Sequence, residues 1–125
     1  MEDDGGVRAA VGLLLGQLGH RAHLAADCPE MLGRLRAALA GGDRYDAVLF
    51  DLIIPGGPGA DEALRGLREI DPQVPVIIYS GEANSPIMAR HEEHGFAAAL
   101  AKPFTVTELQ TVLDVVLPVQ RGGEA

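Results

Sequence analysis

The stretch from Tyr45 to Pro55 constrains the fold more than any other part of the chain. Ala47, Val48, Leu49 and Phe50 run into the single carboxylate of Asp51, and Leu52, Ile53 and Ile54 then run into Pro55. A short, continuous apolar run bounded by turn residues reads as a strand buried on both faces, as in a parallel sheet. Asp51 falls at its carboxyl end, where open α/β sheets bind their ligands. Burying a carboxylate there is unfavourable unless a cation pairs with it. For a lone aspartate, capping of the next turn is the simpler reading. The question is what else shares that edge.

The rest of the chain alternates between helical and extended patterns. After the acids Glu2, Asp3 and Asp4, Val7, Val11, Leu14, Leu15 and Leu18 recur at helical spacing, and Gly19 supplies a stop. The acids themselves read as a solvated cluster starting that helix. His20 to Ala25 alternates and is a short strand candidate. Asp27, Pro29 and Glu30 predict a helix start with capping-box spacing, followed by a stripe of Met31, Leu32, Leu35 and Leu39. Pro55 to Gly59 is a loop, and a helix over 60–70 follows, stopped by Asp71 and Pro72. Val74 to Ser80 is a second buried strand. Ser85 and Pro86 predict a helix running to about His94, ended by Gly95. Phe96 to Ala101 is a third strand, leading into Lys102 and Pro103. Thr105 and Glu108 form a second capping box, before a stripe of Leu109, Val112, Leu113 and Val116. Strands alternating with helices over short connections predict a parallel sheet with helices on both faces. Length points to one domain over 1–120, with 121–125 as a flexible tail.

Composition removes several classes of function. Ten basic against 18 acidic residues give a net charge of −8, which argues against direct nucleic-acid binding. The single cysteine, Cys28, excludes an internal disulfide and suits a reducing, cytoplasmic setting. It reads as an ordinary buried residue at a helix start, with a lowered-pKa thiol as the sharper alternative. Met31 and Met88 read as core. No apolar run reaches membrane-spanning length, so no membrane contact is expected. A P-loop is absent, and Gly57 and Gly59 lack the third glycine of a dinucleotide site. His91 to His94 reads as a solvated helix face rather than a metal motif.

Parallel strands point the same way, so Asp51, Ser80 and Lys102 share one edge of the sheet. An acid, a hydroxyl and an ammonium there suit phosphoryl chemistry, with the carboxylate as nucleophile. Carboxylate and phosphoryl group repel each other, which calls for a divalent ion such as Mg²⁺. Glu2 or Asp3 could supply a second carboxylate for it.

These residues resemble the receiver domains of two-component response regulators, over nearly the whole chain. The matching pieces are Glu2 and Asp3 before the first helix, Asp51 with Pro55, Ser80 with Gly81, and Lys102 with Pro103. The resemblance implies a flavodoxin-like, three-layer α/β fold with a parallel sheet. It implies that Asp51 is the phosphoacceptor, taking its phosphoryl group from a phosphohistidine on a histidine kinase or phosphotransfer domain. Glu2, Asp3, Asp51 and the Ile53 carbonyl would surround Mg²⁺, and Ser80 and Lys102 would contact the phosphoryl group. Such a domain is not an enzyme beyond its own phosphorylation and dephosphorylation. The loops after Asp51 and Ser80 look most like receivers of hybrid sensor histidine kinases, so the chain reads as a single-domain regulator or the end of such a kinase.

Three departures from the family pattern carry expectations of their own. The apolar first strand, expected before the acidic pair, is missing from the chain. Direct pairing of the strands on either side, or a homodimer by strand swapping, would relieve the exposed edges. Glu2 and Asp3 would then lie beside an α-amino group of pKa roughly 8, a cation that partly replaces Mg²⁺ and weakens its binding. Ala99 stands where the family often has an aromatic residue. Ile53 stands where a polar side chain would orient a hydrolytic water, which predicts slow autodephosphorylation. The missing strand and Ala99 keep open an alternative: a degenerate receiver that is not phosphorylated and acts as a protein-binding module.

Overall fold

Alternating side chains send each buried strand into two cores at once. Val48, Phe50, Val76 and Ile78 face one apolar cluster, and Leu49, Ile77 and Tyr79 face another. The computed structural model describes residues 1–52, 59–81 and 85–117. Within these, β1 (Val48–Asp51), β2 (Val76–Ser80) and β3 (Ala98–Ala101) form a parallel sheet in the order β1-β2-β3. The register sets Asp51 beside Tyr79 and Ser80 beside Ala101. Helices α2 (Cys28–Ala40) and α3 (Ala60–Ile70) cover one face, together with Met88 of α4 (Pro86–Ala89). Helices α1 (Gly5–Gln17) and α5 (Val106–Val116) cover the other. The three-layer, flavodoxin-like α/β expectation holds. Met31, Met88 and Cys28 are buried in the first cluster, as read from the sequence.

The punctuation signals act as their chemistry dictates. Asp4 accepts from the Val7 N–H and Asp27 from the Glu30 N–H, each filling an orphan donor of its helix. Glu30 reaches back to the Ala26 N–H, one residue earlier than the standard box. Thr105 and Glu108 form the complete reciprocal box. Gly19 and Gly95 take φ of +88° and +94°, a left-handed turn that a side chain would strain.

Two expected elements differ. The helix at Ser85 ends at Ala89, not His94, and the Ser85 side chain makes no cap bond. Only Met88 of that helix is buried, and His91 to His94 offers nothing apolar to hold further turns against the sheet. Residues 91–95 instead fold into turns, with the Phe96 N–H donating to the His91 carbonyl at 3.0 Å.

The second difference concerns residues 20–25 and the start of the sheet. His20 to Ala25 is not a strand, and it does not pair directly with β1. Met1 and Glu2 lie between the two. The Glu2 N–H donates to the Ala25 carbonyl at 2.9 Å, and the Asp51 N–H donates to the Met1 carbonyl at 3.0 Å. The Met1 amino group donates to the Leu49 carbonyl. A strand needs a neighbour along its length, and two residues of one cannot hold the 20–25 segment as a ladder. Helix α1 buries no residue fully, whereas α3 buries Ala60, Ala63, Leu64 and Leu67.

Candidate functional site

The strand ends converge as their shared direction requires. Asp51 ends β1, Ser80 ends β2, and Lys102 follows β3, its N–H donating to the Ser80 carbonyl at 2.9 Å. Met1, locked to β1, carries Glu2 and Asp3 to the same edge. One carboxylate oxygen each from Glu2, Asp3 and Asp51 lie within 4.8 Å of one another. Glu2 and Asp51 are buried and Asp3 is exposed, so the cluster is walled by protein and open to solvent at one side.

Lys102 bridges the two buried acids. Its Nζ lies 3.2 Å from Asp51 Oδ2 and 3.3 Å from Glu2 Oε1. The ammonium also sits 4.9 Å from the centroid of the Tyr79 ring, within cation–π range. Tyr79 completes the arrangement, its buried hydroxyl donating to Glu2 Oε1 at 2.8 Å. Glu2 Oε2 accepts from the Asp4 N–H at 3.1 Å. Burial pushes the Glu2 carboxyl up. The bonds from Tyr79 and the Asp4 N–H, with Lys102 beside it, outweigh this and hold it below the usual carboxylate range. Burial, then the bond to Glu2, raises the Tyr79 phenol far above its ordinary value. Glu2 is therefore an ionised acid anchored in the core, not a member of a solvated cluster at a fraying end.

Reading the sequence missed Tyr79 here, because its hydroxyl meets a residue 77 positions away. A tyrosine inside a fully buried strand was nevertheless a signal, since its O–H must find a partner. Asp71 was also missed. Taken for a helix stop, it is buried and accepts from the Gln73 and Val74 N–H groups, with Arg44 3.4 Å away. Cys28 is not an activated thiol: burial raises it, and Asp27 and Glu62 add to that. His94 bonds Asp61 at 3.0 Å, and the sole metal-capable cluster among the described residues is Glu2, Asp3 and Asp51. Ile53 and the loop 55–58 lie outside the described residues, as do 82–84 and the tail 121–125. Ala99 sits in β3 opposite Ile78 and offers no ring.

The α-amino group behaves differently from the expected cation. Burial lowers it to about 6, with Glu2 and Asp51 opposing that shift. At neutral pH it is mostly uncharged, so it is a weak substitute for a metal. Its depressed value also makes a stability statement. An unfolded chain binds this proton below about pH 8 and the folded chain only below about pH 6. Stability is therefore expected to rise from pH 6 to 8, by on the order of 2 kcal/mol from this group. Urea titrations across that range check it, with the Nα-acetylated chain losing the increment. An equal slope in both chains would remove the α-amino group as the cause.

Charge balance tests whether these residues suit Mg²⁺. Three carboxylates and one ammonium leave a surplus of two negative charges in a partly buried site. A small dication that prefers oxygen ligands and keeps several waters fits both that surplus and the open side at Asp3. Among the described residues, no helix is long and apolar enough to cross a membrane.

Comparison with known proteins gives the same architecture. The chain is 27% identical to sporulation initiation phosphotransferase F of Bacillus subtilis over 120 residues, covering 96% of this chain and 92% of that protein. It is 36% identical to the transcription factor SKN7 of Saccharomyces cerevisiae over 70 residues, spanning 56% of this chain and 11% of that protein. Among solved structures, it resembles the receiver domain of the sensor histidine kinase PA1611 from Pseudomonas aeruginosa, determined with magnesium in the active-site cleft. The TM-score is 0.77 at 28% identity, over 93% of this chain and 92% of that one. The model of the response regulator receiver domain matches residues 1–114. With that match spanning the strand edge and every acid gathered on it, the chain belongs to the response regulator receiver domains.

Proposed function

We propose that this receiver accepts a phosphoryl group on Asp51 from a phosphohistidine of a histidine kinase or phosphotransfer domain. The observation that supports it most is the convergence of Glu2, Asp3 and Asp51 on one point, with Lys102 bridging the two buried acids. Asp51 attacks phosphorus through a carboxylate oxygen, and the bond from phosphorus to the imidazole nitrogen breaks. Its electron pair leaves with the imidazole. Lys102, already 3.2 Å from Asp51, neutralises charge on the transferred group, and Ser80 donates its hydroxyl to a phosphoryl oxygen. Glu2, Asp3, Asp51 and the Ile53 carbonyl would hold Mg²⁺, which when bound offsets the repulsion between carboxylate and phosphoryl group. The magnesium in the PA1611 receiver supports that assignment. The domain occupies 1–120, acts in the cytoplasm and catalyses nothing beyond its own phosphorylation and dephosphorylation.

Incubation with acetyl phosphate and Mg²⁺, read by intact mass, tests the proposal. A single phosphoryl adduct that requires Mg²⁺ is expected. Its absence at saturating donor would favour a receiver that only binds partners. The acyl phosphate should also be long-lived, because Ile53 cannot orient a water through a side-chain hydrogen bond. Ile53→Asn is expected to speed loss of the label by about tenfold, a modest share of what a positioned polar group contributes. Rapid loss in the unaltered chain, unchanged in the variant, would remove Ile53 as the cause.

A further inference from the structure

Three side-chain bonds and one backbone bond hold Glu2 in place. Its N–H donates to the Ala25 carbonyl at 2.9 Å, which fixes the main chain. Glu2 Oε1 accepts from the Tyr79 hydroxyl at 2.8 Å and from Lys102 Nζ at 3.3 Å, and Oε2 accepts from the Asp4 N–H at 3.1 Å. A carboxylate offers about four acceptor directions, so little of this acid is free to rearrange. The donors differ in firmness. Lys102 is a flexible, partly exposed stem shared with Asp51. Tyr79 belongs to the middle strand, paired with Asp51 on one side and Leu100 on the other. Its ring is buried among Leu100, Leu109 and Leu113 and stands edge-on to Phe104 at 5.8 Å. The phenol is thus a rigid donor that reaches the acid cluster from inside the core.

We propose that Tyr79 is a positioning residue that sets which divalent cation the acids take: by pinning Glu2, it favours Mg²⁺ over the larger Ca²⁺. The inference rests on the reading that Glu2, Asp3 and Asp51 hold a divalent cation, and it adds the source of their selectivity. Mg²⁺ demands near-ideal octahedral geometry at roughly 2.0–2.1 Å and keeps several waters. Ca²⁺ takes about 6–8 oxygens at roughly 2.3–2.6 Å in adaptable geometry. Preset acids therefore suit the small ion, and acids that can retreat or turn suit the large one. Asp3 is exposed, so its carboxylate can adjust to either. Glu2 cannot while the phenol holds Oε1, and with the hydroxyl gone only the Lys102 stem remains on that oxygen. Groups that hold a metal ligand from behind typically contribute about 10–100-fold in metal affinity. Tyr79→Phe isolates that contribution. It removes the hydroxyl and keeps the ring against the Lys102 ammonium and Phe104.

The test titrates magnesium and calcium chloride separately into the 125-residue chain by calorimetry, with no phosphodonor present. Tyr79→Phe should weaken Mg²⁺ by about tenfold and Ca²⁺ by less than about twofold, so the preference for Mg²⁺ falls at least about fivefold. General loosening of the fold would instead weaken both cations alike. Glu2→Gln, which removes the ligand rather than its support, should weaken both. An unchanged or increased preference for Mg²⁺ in folded Tyr79→Phe would overturn the inference and leave the metal reading standing. No effect of Glu2→Gln on either cation would also overturn it. Binding of neither cation by the unaltered chain would overturn both the metal reading and this one. Where Tyr79→Phe does not fold, nuclear magnetic resonance of the unaltered chain decides. Saturating Ca²⁺ should shift the Tyr79 Cζ resonance, which senses the bond of the phenol, further than Mg²⁺ does, and equal shifts would overturn the inference.

Discussion

Asp51→Asn is expected to leave the chain without any stable phosphoryl adduct while keeping it folded. The substitution keeps side-chain shape but replaces the carboxylate proposed as nucleophile with an amide that neither carries charge nor forms an acyl phosphate. Folding should survive for a reason visible at the site. Glu2 and Asp51 are both buried, and they share one ammonium. Removing one of two like charges lowers their repulsion and leaves Lys102 paired with Glu2 alone. Stability in the absence of metal is therefore expected to hold or rise, and Mg²⁺ affinity to fall. Intact mass after acetyl phosphate, alongside a thermal melt, reads both. Equal adduct yield on the folded variant would show that another residue accepts the phosphoryl group.

Lys102→Ala is the second large effect, and it acts on stability. It removes the ammonium that two buried carboxylates share. Breaking a buried pair by removing one partner typically destabilises by ~3–5 kcal/mol. The Lys102 side chain is 28% exposed, so solvent screens part of that. A loss of about 2–3 kcal/mol at pH 7 without metal is expected. The sign with pH follows from the acids: the loss should shrink as pH falls and the carboxylates protonate. Adding Asp51→Asn should restore part of it, since one buried negative charge then remains beside the lost ammonium where the single variant leaves two. Urea unfolding of the single and double variants decides this. A loss below about 0.5 kcal/mol would show that the bridge is a surface-type pair with little net effect.

The parts of this molecule that were legible beforehand are those set by local chemistry. Apolar runs bounded by turn residues marked β1 and β2, and Asp27 and Thr105 announced their helices. The gathering of Asp51 and Lys102 was legible for a different reason: parallel strands share a direction, so residues at their carboxyl ends must meet. What escaped depended on contacts through space. Nothing in Glu2 and its neighbours says that a tyrosine from β2 will anchor it, or that Met1 will bond both ways and carry it inward. The length of α4 was misread because capping residues start a helix but only buried side chains prolong it. The burial of Asp71 was hidden because a proline follows it, and the stop signal was sufficient to account for it.

Tyr79 has a further consequence, for optical spectroscopy. The chain contains two tyrosines and no tryptophan. Tyr45 bonds His23, away from the acids, while the Tyr79 hydroxyl bonds an acid of the cluster and its ring lies beneath the bridging ammonium. A phenol donating to a carboxylate differs in near-ultraviolet absorbance and emission from one bonded to an imidazole. Any event that draws Glu2 or Lys102 away from Tyr79 changes one chromophore and leaves the other as an internal reference. The unlabelled chain thus reports the state of its own acid cluster in a cuvette.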